Sequence, residues 1–221
     1  CCLPSISLSK ATLETVKNWT KLIARRLNVV GLINLQFAVT NLNNKENKLF
    51  ILEANPRASR TVPFVSKAIG KPVAKLATQL MQGLTLEDIN FTEEFMPKFQ
   101  AVKEAVLPFK RFPGSDTLLG PEMKSTGEVM AIDTSFESAF IKCQLASSNP
   151  LPKDGSLFVS VKDSDKPKIL PIIRSFQKLG FQILATAGTA GYLIEGGVKV
   201  RKINKVSQGS PHIVEELLED K

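Results

Sequence analysis

The spacing of apolar residues predicts a helix and then a hairpin at the start of the chain. Between Ser9 and Leu27, apolar side chains recur every three or four positions, the period of an amphipathic helix. From Gly31 to Thr40 apolar and polar positions alternate, as in a half-buried strand. The polar, Asn-rich residues 41–48 predict a turn, and Leu49–Ala54 predicts the return strand.

A helix and a connector are predicted next. Residues 66–81 have helical spacing, interrupted near Gly70–Pro72 and closed by Gly83. Prolines and glycines punctuate residues 84–147, which we therefore interpret as a connector between domains. Its last element is predicted to be a helix over 135–145, where apolar residues again share one side.

Beyond Gly155 the pattern changes to strands that alternate with helices, which is typical of a parallel α/β sheet. The predicted strands are 156–161, 181–185 and 198–203, and the predicted helices are 166–179, one that opens in the turn 186–193, and one that begins at 213–218. An open doubly wound sheet normally has further strands, so we expect a truncated domain. The chain also begins with Cys1 rather than Met, which suggests a piece of a longer protein.

Composition narrows the class of protein. With 221 residues, 43% of them hydrophobic, the chain can bury a core, and no apolar run approaches the roughly 18 residues of a membrane span. We expect a protein of the cytoplasm, or of the plastid stroma in a photosynthetic source. The net charge of +8 is spread along the chain with one Trp and one Tyr, so we expect no nucleic-acid binding. Three cysteines without metal-ligand spacing are expected to be reduced thiols.

A first group of polar residues lies on the predicted hairpin. Glu53 and Asn55 are two positions apart on one strand and share a face, and Gln36 lies across from them if the hairpin pairs in that register. Carboxylate and amide oxygens suit a hard divalent cation that carries ATP. Arg57 is placed to clamp a phosphate or a carboxylate. The alternative is a solvated strand edge that ends in an Asn-Pro turn.

A second group follows the three predicted parallel strands. Lys166 comes after the first strand, Thr186 and Thr189 after the second, and Lys205 after the third. Because the carboxyl ends of parallel strands meet at one edge, these positions are expected to converge there. Glycine, hydroxyl groups and two ammonium groups suit a phosphate. The alternative is that the Gly/Thr turn only caps a helix.

Several long runs resemble one enzyme family, the carbamoyl-phosphate synthetase large subunits. The hairpin carries two of them, LQFAV at 35–39 and LEANPRASRTVPFVSK at 52–67. The connector carries VKEAVLPF at 102–109 and LGPEMKSTGEVM at 119–130, which resemble the second half of that subunit. The similarity covers essentially the whole chain, although the turn at 41–48 is expected to be longer than in many relatives.

The resemblance implies a fold and a division of the chain. The fold class is α/β and α+β. Residues 1–83 would be the C-terminal part of an ATP-grasp domain, 84–147 a connector, and 148–221 a truncated, Rossmann-like methylglyoxal-synthase-like domain with a parallel sheet.

The resemblance also implies roles for individual residues. Gln36, Glu53 and Asn55 would hold Mg²⁺ or Mn²⁺, with Gln36 and Glu53 also contacting ATP, and Arg57 would act in catalysis. Effector residues are implied as well: the activator ornithine would bind at one of them and the phosphate of UMP or IMP at the others, namely Glu104 for ornithine and Ser160, Lys166, Thr186, Thr189 and Lys205 for the phosphate.

The activity implied is that of an ATP-dependent carbon–nitrogen ligase in arginine or pyrimidine biosynthesis. The whole enzyme would make carbamoyl phosphate from bicarbonate, two ATP and ammonia from a glutaminase small subunit, would be oligomeric, and would phosphorylate carbamate in this half. The piece alone is expected to be inactive, since the loops that cover ATP would lie upstream of Cys1.

Two other functions remain open. One is a methylglyoxal synthase, a lyase that needs a carboxylate base after the third strand. Residues 205–212 contain none, and His212 is expected to pack or to cap a helix. The other is a stand-alone nucleotide-sensing or phosphate-sensing module.

Overall fold

The computed structural model describes residues 1–40 and 48–219. The predicted turn at 41–48 lies outside the described residues except for Lys48, which begins a strand. The chain divides into two compact units, residues 1–151 and residues 152–221. The predicted mixture of α/β and α+β structure is confirmed, and each unit is described by itself.

In its described residues, the first unit contains a hairpin, a small sheet and four α-helices. In chain order its elements are β1 (Cys2–Leu3), α1 (Lys10–Arg26), β2 (Asn34–Thr40), β3 (Lys48–Asn55), α2 (Thr61–Ile69), α3 (Val73–Met81), β4 (Gln100–Val106), β5 (Gly127–Asp133) and α4 (Phe136–Ala146). Strands β2 and β3 form the predicted antiparallel hairpin. Strands β1, β4 and β5 form a second antiparallel sheet in that order.

Helix α1 confirms the helix that the apolar spacing predicts. Its N-cap is Ser9, whose hydroxyl accepts a hydrogen bond from the backbone N–H of Thr12 at 3.2 Å. Such a cap satisfies one of the N–H groups that a helix start leaves without a partner. Arg25 and Arg26 lie in the last turn, where a positive charge is favourable against the helix dipole.

The start of helix α2 corrects a prediction. The helix was expected from Ser66, but it begins five residues earlier, at Thr61. Pro63 obscures this start in the sequence, yet it lies in the first turn, where backbone N–H groups have no partner within the helix. The predicted interruption is confirmed, because Gly70 ends α2 in the left-handed conformation with φ of 67°.

The connector contains two strands that the sequence analysis does not predict. In β4, Ala101 and Val102 are both buried, so this strand lacks the alternation by which strands are recognised. Strand β1 pairs with it, Cys2 opposite Val102. Because β1 belongs to the segment 1–83 and β4 to the segment 84–147, the two predicted segments share a sheet, and the three-part division stays a prediction.

Helix α4 covers this sheet and encloses a small core. Its buried residues Ala139 and Cys143 pack with Val102. The three cysteines form no disulfide with one another. The Sγ of Cys143 donates to the carbonyl of Val102 at 3.1 Å, and burial raises the pKa of this thiol.

The second unit is a parallel α/β layer. Its elements are β6 (Ser156–Val159), α5 (Lys166–Lys178), β7 (Gln182–Ala185), α6 (Ala187–Glu195), β8 (Arg201–Lys202) and α7 (Ile213–Glu219). The strands are parallel in the order β6, β7, β8, which confirms the predicted alternation. The third strand is shorter than the predicted 198–203, because the backbone N–H of Val198 is bonded to Leu193 at the end of α6.

The core of this unit lies between the sheet and helices α5 and α6. Its buried members are Val159, Ile173, Ile183, Ala185, Ala190, Leu193 and Val198. Strand β7 is central and has Ile183, Leu184 and Ala185 buried. This packing fixes the carboxyl ends of the strands, where the predicted phosphate residues lie.

Candidate functional sites

The hairpin brings four polar side chains to one face. Gln36 pairs directly with Glu53, and Asn34 pairs with Asn55. The residues within each strand are two positions apart, so all four side chains leave the same face of the hairpin.

A bulge creates this arrangement. The register shifts between Gln36 and Phe37, since Phe37 pairs with Ile51 and Gln36 with Glu53, which leaves Leu52 as an extra residue. In a regular hairpin continued from Phe37 and Ile51, Gln36 would face Leu52, and the carboxylate would leave the other face. The bulge therefore decides that the carboxylate and the amide share a side.

The contacts at this face suit a hard divalent cation. The Nδ2 of Asn55 donates to Oε1 of Glu53 at 2.8 Å, which leaves the carbonyl oxygen of the Asn55 amide as the atom available to a cation. Glu53 and Gln36 are exposed. One carboxylate and two amide oxygens fit Mg²⁺ or Mn²⁺ when a phosphate-bearing ligand completes the shell. The described residues hold no group of three or more His, Cys, Asp and Glu side chains that would bind a metal by themselves.

These residues line a cleft of about 520 Å³. Its lining is Asn34, Leu35, Gln36, Glu53, Asn55, Arg57, Ser59, Arg60 and Thr61. Arg57 is exposed here and its guanidinium donates to the carbonyl of Ala58 at 3.1 Å.

Four polar residues of this cleft were not expected from the sequence, namely Asn34, Ser59, Arg60 and Thr61. Asn34 was detectable, because it lies two positions from Gln36. The guanidinium of Arg60 donates to Sδ of Met123 at 3.2 Å, a contact across 63 positions that no local pattern indicates. The two hydroxyl residues belong to the unrecognised start of α2.

Glu104 lies on β4, beside helix α4. It is far from the residues of the hairpin cleft in the sequence. Nε2 of Gln144 donates to both of its carboxylate oxygens, each at 2.8 Å. The carboxylate lines a pocket of about 480 Å³ whose walls include the stacked rings of Phe136 and Phe140. Gln144 was not expected from the sequence, because it is 40 positions away in the chain.

In the second unit, hydroxyl groups meet at the carboxyl ends of the strands. The hydroxyls of Ser160 and Thr186 are 3.1 Å apart, one after β6 and the other after β7. The hydroxyl of Thr189 accepts from the N–H of Val161 at 3.3 Å and lies 3.4 Å from the carbonyl of the same residue. Thr186 and Thr189 are buried, so their positions are set by the fold.

Lys166 extends over the start of α6. Its Nζ lies 3.7 Å from where a Cβ on Gly188 would be. The same ammonium forms an ion pair with Oδ1 of Asp163 at 2.7 Å. This hydrogen bond, together with the charge of Lys166, holds the pKa of Asp163 below its ordinary value of 3.8. Asp163 was not singled out in the sequence.

Lys205 follows β8 at the same edge but is exposed. Its backbone N–H donates to Oε1 of Gln208 at 3.0 Å, and its ammonium makes no hydrogen bond or ion pair within residues 1–40 and 48–219. His212 has the predicted capping role. Its backbone N–H donates to Oε2 of Glu215 at 2.9 Å, and its Nδ1 accepts from the Glu215 N–H at 3.4 Å.

Comparison with known proteins identifies both units. Residues 2–89 match the family described as carbamoyl-phosphate synthase L chain, ATP binding domain, and residues 168–221 match the MGS-like domain. The carbamoyl phosphate synthase large chain of Nostoc sp. is 52% identical over 221 residues, 100% of this chain and 20% of the relative. The chain belongs to the carbamoyl-phosphate synthase large-chain family. This confirms the resemblance and disfavours the separate lyase and the stand-alone sensor.

Other carbamoyl-phosphate synthase large chains agree. That of Pseudomonas putida is 49% identical over 220 residues, 100% of this chain and 20% of the relative. The arginine-specific, chloroplastic large chain of Arabidopsis thaliana is 50% identical over 212 residues, 96% of this chain and 18% of the relative. The chain thus spans about a fifth of the length of these relatives. In the part that the structure describes, no helix is long and apolar enough to cross a membrane.

Proposed function

We propose that this chain is the part of a carbamoyl-phosphate synthase large chain that phosphorylates carbamate and carries the effector domain. The whole enzyme would use bicarbonate, two ATP and ammonia from a glutaminase small subunit. The observation that carries the proposal is the shared face of Gln36, Glu53 and Asn55, which offers one carboxylate and two amide oxygens in an open cleft. Identity of about 50% over the whole chain supports it.

Gln36, Glu53 and Asn55 would hold Mg²⁺ or Mn²⁺, with Gln36 and Glu53 also contacting ATP. The metal ion, when bound, neutralises charge on the transferred phosphoryl group. Arg57, at the exposed mouth of the cleft, would clamp a phosphate or carboxylate oxygen in the bidentate manner that a guanidinium permits. The hydrogen bond from Asn55 holds the Glu53 carboxylate in place and would orient it for a cation.

The second unit would bind the phosphate of a nucleotide effector, UMP or IMP, at Ser160, Lys166, Thr186, Thr189 and Lys205. The hydroxyl cluster at the strand ends and the ammonium over the start of α6 support this assignment. Glu104 would bind the ammonium group of ornithine. Its one described hydrogen-bond partner is the neutral Gln144, and the aromatic walls of its pocket suit an aliphatic chain.

The proposal includes domain limits at residues 83 and 147. It also includes an oligomeric enzyme, located in the cytoplasm or the plastid stroma. The location is supported by relatives from bacteria and from chloroplasts. The limit at 147 lies four residues from the observed division after Leu151.

The metal site is tested by Glu53→Gln in a full-length large chain that carries this sequence, assembled with its small subunit. Loss of the only carboxylate among the proposed ligands removes charge neutralisation, so carbamoyl-phosphate synthesis should fall by at least about 100-fold. Glutamine hydrolysis and the unfolding temperature should change little, because Glu53 is exposed.

The matched control is Glu87→Gln, which changes an exposed carboxylate outside the cleft. It should leave synthesis unchanged. Near-normal synthesis by Glu53→Gln at saturating Mg²⁺ would contradict the proposed site.

A further inference from the structure

One ion pair lies where the effector phosphate is proposed to bind. The ammonium of Lys166 is 2.7 Å from the Asp163 carboxylate, in the short turn before α5. The lysine side chain is only 15% exposed, whereas the aspartate side chain is 94% exposed. The ammonium is therefore held by the fold, while the carboxylate can rotate into water without disturbing any packing.

The position of this ammonium is electrostatically unfavourable unless an anion accompanies it. It lies over Gly188 in the first turn of α6, and the start of a helix carries a partial positive charge. The Asp163 carboxylate supplies the negative charge that this place requires. In the proposed effector complex, a phosphate would supply this negative charge in place of Asp163.

We propose that Asp163 is a built-in competitor of the effector phosphate for Lys166, and that it sets the affinity of the effector site. The inference rests on the proposed effector function of the second unit. Binding would exchange the carboxylate for a phosphate oxygen at the lysine ammonium. Asp163 would then turn toward solvent. The free energy needed to break the ion pair would make the observed effector affinity weaker.

The exchange favours the phosphate for two reasons. An exposed ion pair contributes little to stability, so its loss is readily offset. A phosphate carries more charge than a carboxylate and, in the proposed site, would also accept from the hydroxyl groups at the same edge, of which Ser160 and Thr186 are in contact. Asp163 would therefore weaken effector binding without preventing it.

The chain provides a matched control two residues away. Asp165 lies in the same turn and is also a partly exposed carboxylate, but it faces Lys162, at 3.9 Å, rather than Lys166. Asp163→Asn and Asp165→Asn change the net charge equally. Only the former releases the Lys166 ammonium.

The experiment is calorimetric titration of UMP and IMP into a full-length large chain that carries this sequence, in wild-type form and as each variant. Asp163→Asn should bind the nucleotide effector about three- to fivefold more tightly, the range expected for release of an exposed ion pair. Asp165→Asn should stay within about twofold of wild type, because charges that are not in contact are screened at physiological salt. Uridine and inosine, which lack the phosphate, should show no gain in either variant.

Lysine variants show whether the effect acts through Lys166. Lys166→Ala and Lys205→Ala should each weaken nucleotide binding by about one to two decades, since each loses a charge-assisted bond. In the double variant Asp163→Asn with Lys166→Ala, the gain from Asp163→Asn should disappear, because the two residues act as one pair.

The outcomes separate this inference from the proposed function. If both lysine variants weaken binding but Asp163→Asn behaves like Asp165→Asn, the effector site stands and the competitor is overturned. An equal gain for uridine or inosine overturns it too. If wild type binds neither UMP nor IMP, or if the lysine variants bind as wild type does, the proposed effector site falls and the inference with it.

Discussion

At the scale of single residues, a carboxylate that is paired with a cation differs from one that is paired with a neutral group, because only the second keeps its charge for a ligand. Asp133 is 2.6 Å from the ammonium of Lys142 and accepts from the N–H of Thr134, so its charge is already neutralised. Glu104 is held by the neutral amide of Gln144, which leaves its charge for a cationic ligand. Asp133 therefore serves the fold, whereas Glu104 fits a binding role.

Asp133 leads to a prediction about acid stability. Its pKa is lowered first by the hydrogen bond from Lys142 and then by that from Thr134, so the folded state holds this carboxyl ionised at lower pH than the unfolded state does. The stabilisation is present above the ordinary value of 3.8 and is lost as the pH falls through that value and below it. Asp133→Asn should therefore destabilise the chain near neutral pH and lose less stability than wild type on acidification.

Urea unfolding between about pH 2 and pH 6 measures this difference. Asp154→Asn is the control, since this exposed carboxylate makes no hydrogen bond or ion pair within the described residues. Parallel stability curves for wild type and Asp133→Asn would show that the carboxylate contributes nothing.

At the scale of elements, helix α6 fixes the carboxyl end of strand β6 through one buried hydroxyl. Thr189 lies in the first turn of α6, and its Oγ1 bonds the backbone of Val161, which follows the strand. In the same loop, the side-chain hydroxyl of Ser160 bonds the hydroxyl of Thr186. The geometry of the proposed phosphate site therefore depends on the packing of a helix against a strand end.

Thr189→Val should destabilise the second unit by about 1–2 kcal/mol, because the similar shape is kept while the partly buried N–H of Val161 loses its acceptor. Unfolding in urea gives the free energy, and hydrogen exchange at the Val161 amide reports the local opening. Thr189→Ser retains the hydroxyl and should preserve the protection of this amide. Wild-type protection in Thr189→Val would show that the hydroxyl does not hold the loop.

At the scale of the whole molecule, the chain has two cores that do not share residues. Val102, Ala139 and Cys143 form one, and the cluster around Leu193 forms the other. Each lies within one compact unit. A destabilising substitution in one core should therefore lower the stability mainly of its own unit.

Leu193→Ala tests this separation. Leu193 is fully buried, so its truncation should cost the second unit about 2–5 kcal/mol. Native-state hydrogen exchange should show faster exchange of β7 and α6 amides, with unchanged protection in β4 and α4. Leu179→Ala, at a residue that is 69% exposed, is the control and should have little effect. Equal loss of protection in both units would contradict independent cores.

The prediction from sequence succeeded where a local period determines structure. The amphipathic repeat of α1 and the strand–helix alternation of the second unit are read from neighbouring residues, and the alternation placed Lys166, Thr186, Thr189 and Lys205 after the ends of parallel strands. The alternation rule failed in β4, where the neighbouring residues Ala101 and Val102 are both buried by tertiary packing. The start of α2 was placed five residues late, because a proline in the first turn of a helix resembles a helix boundary in the sequence.

The sequence by itself determined that Glu53 and Asn55 share a face, because that follows from the two-residue period of any strand. Only the tertiary structure decided that Gln36 joins them, because the bulge at Leu52 depends on how two strands pair and not on either strand alone. The same holds for Lys166 and Asp163. Their spacing permits contact, but the side chain that packs over α6 makes the lysine fixed and the aspartate free to move.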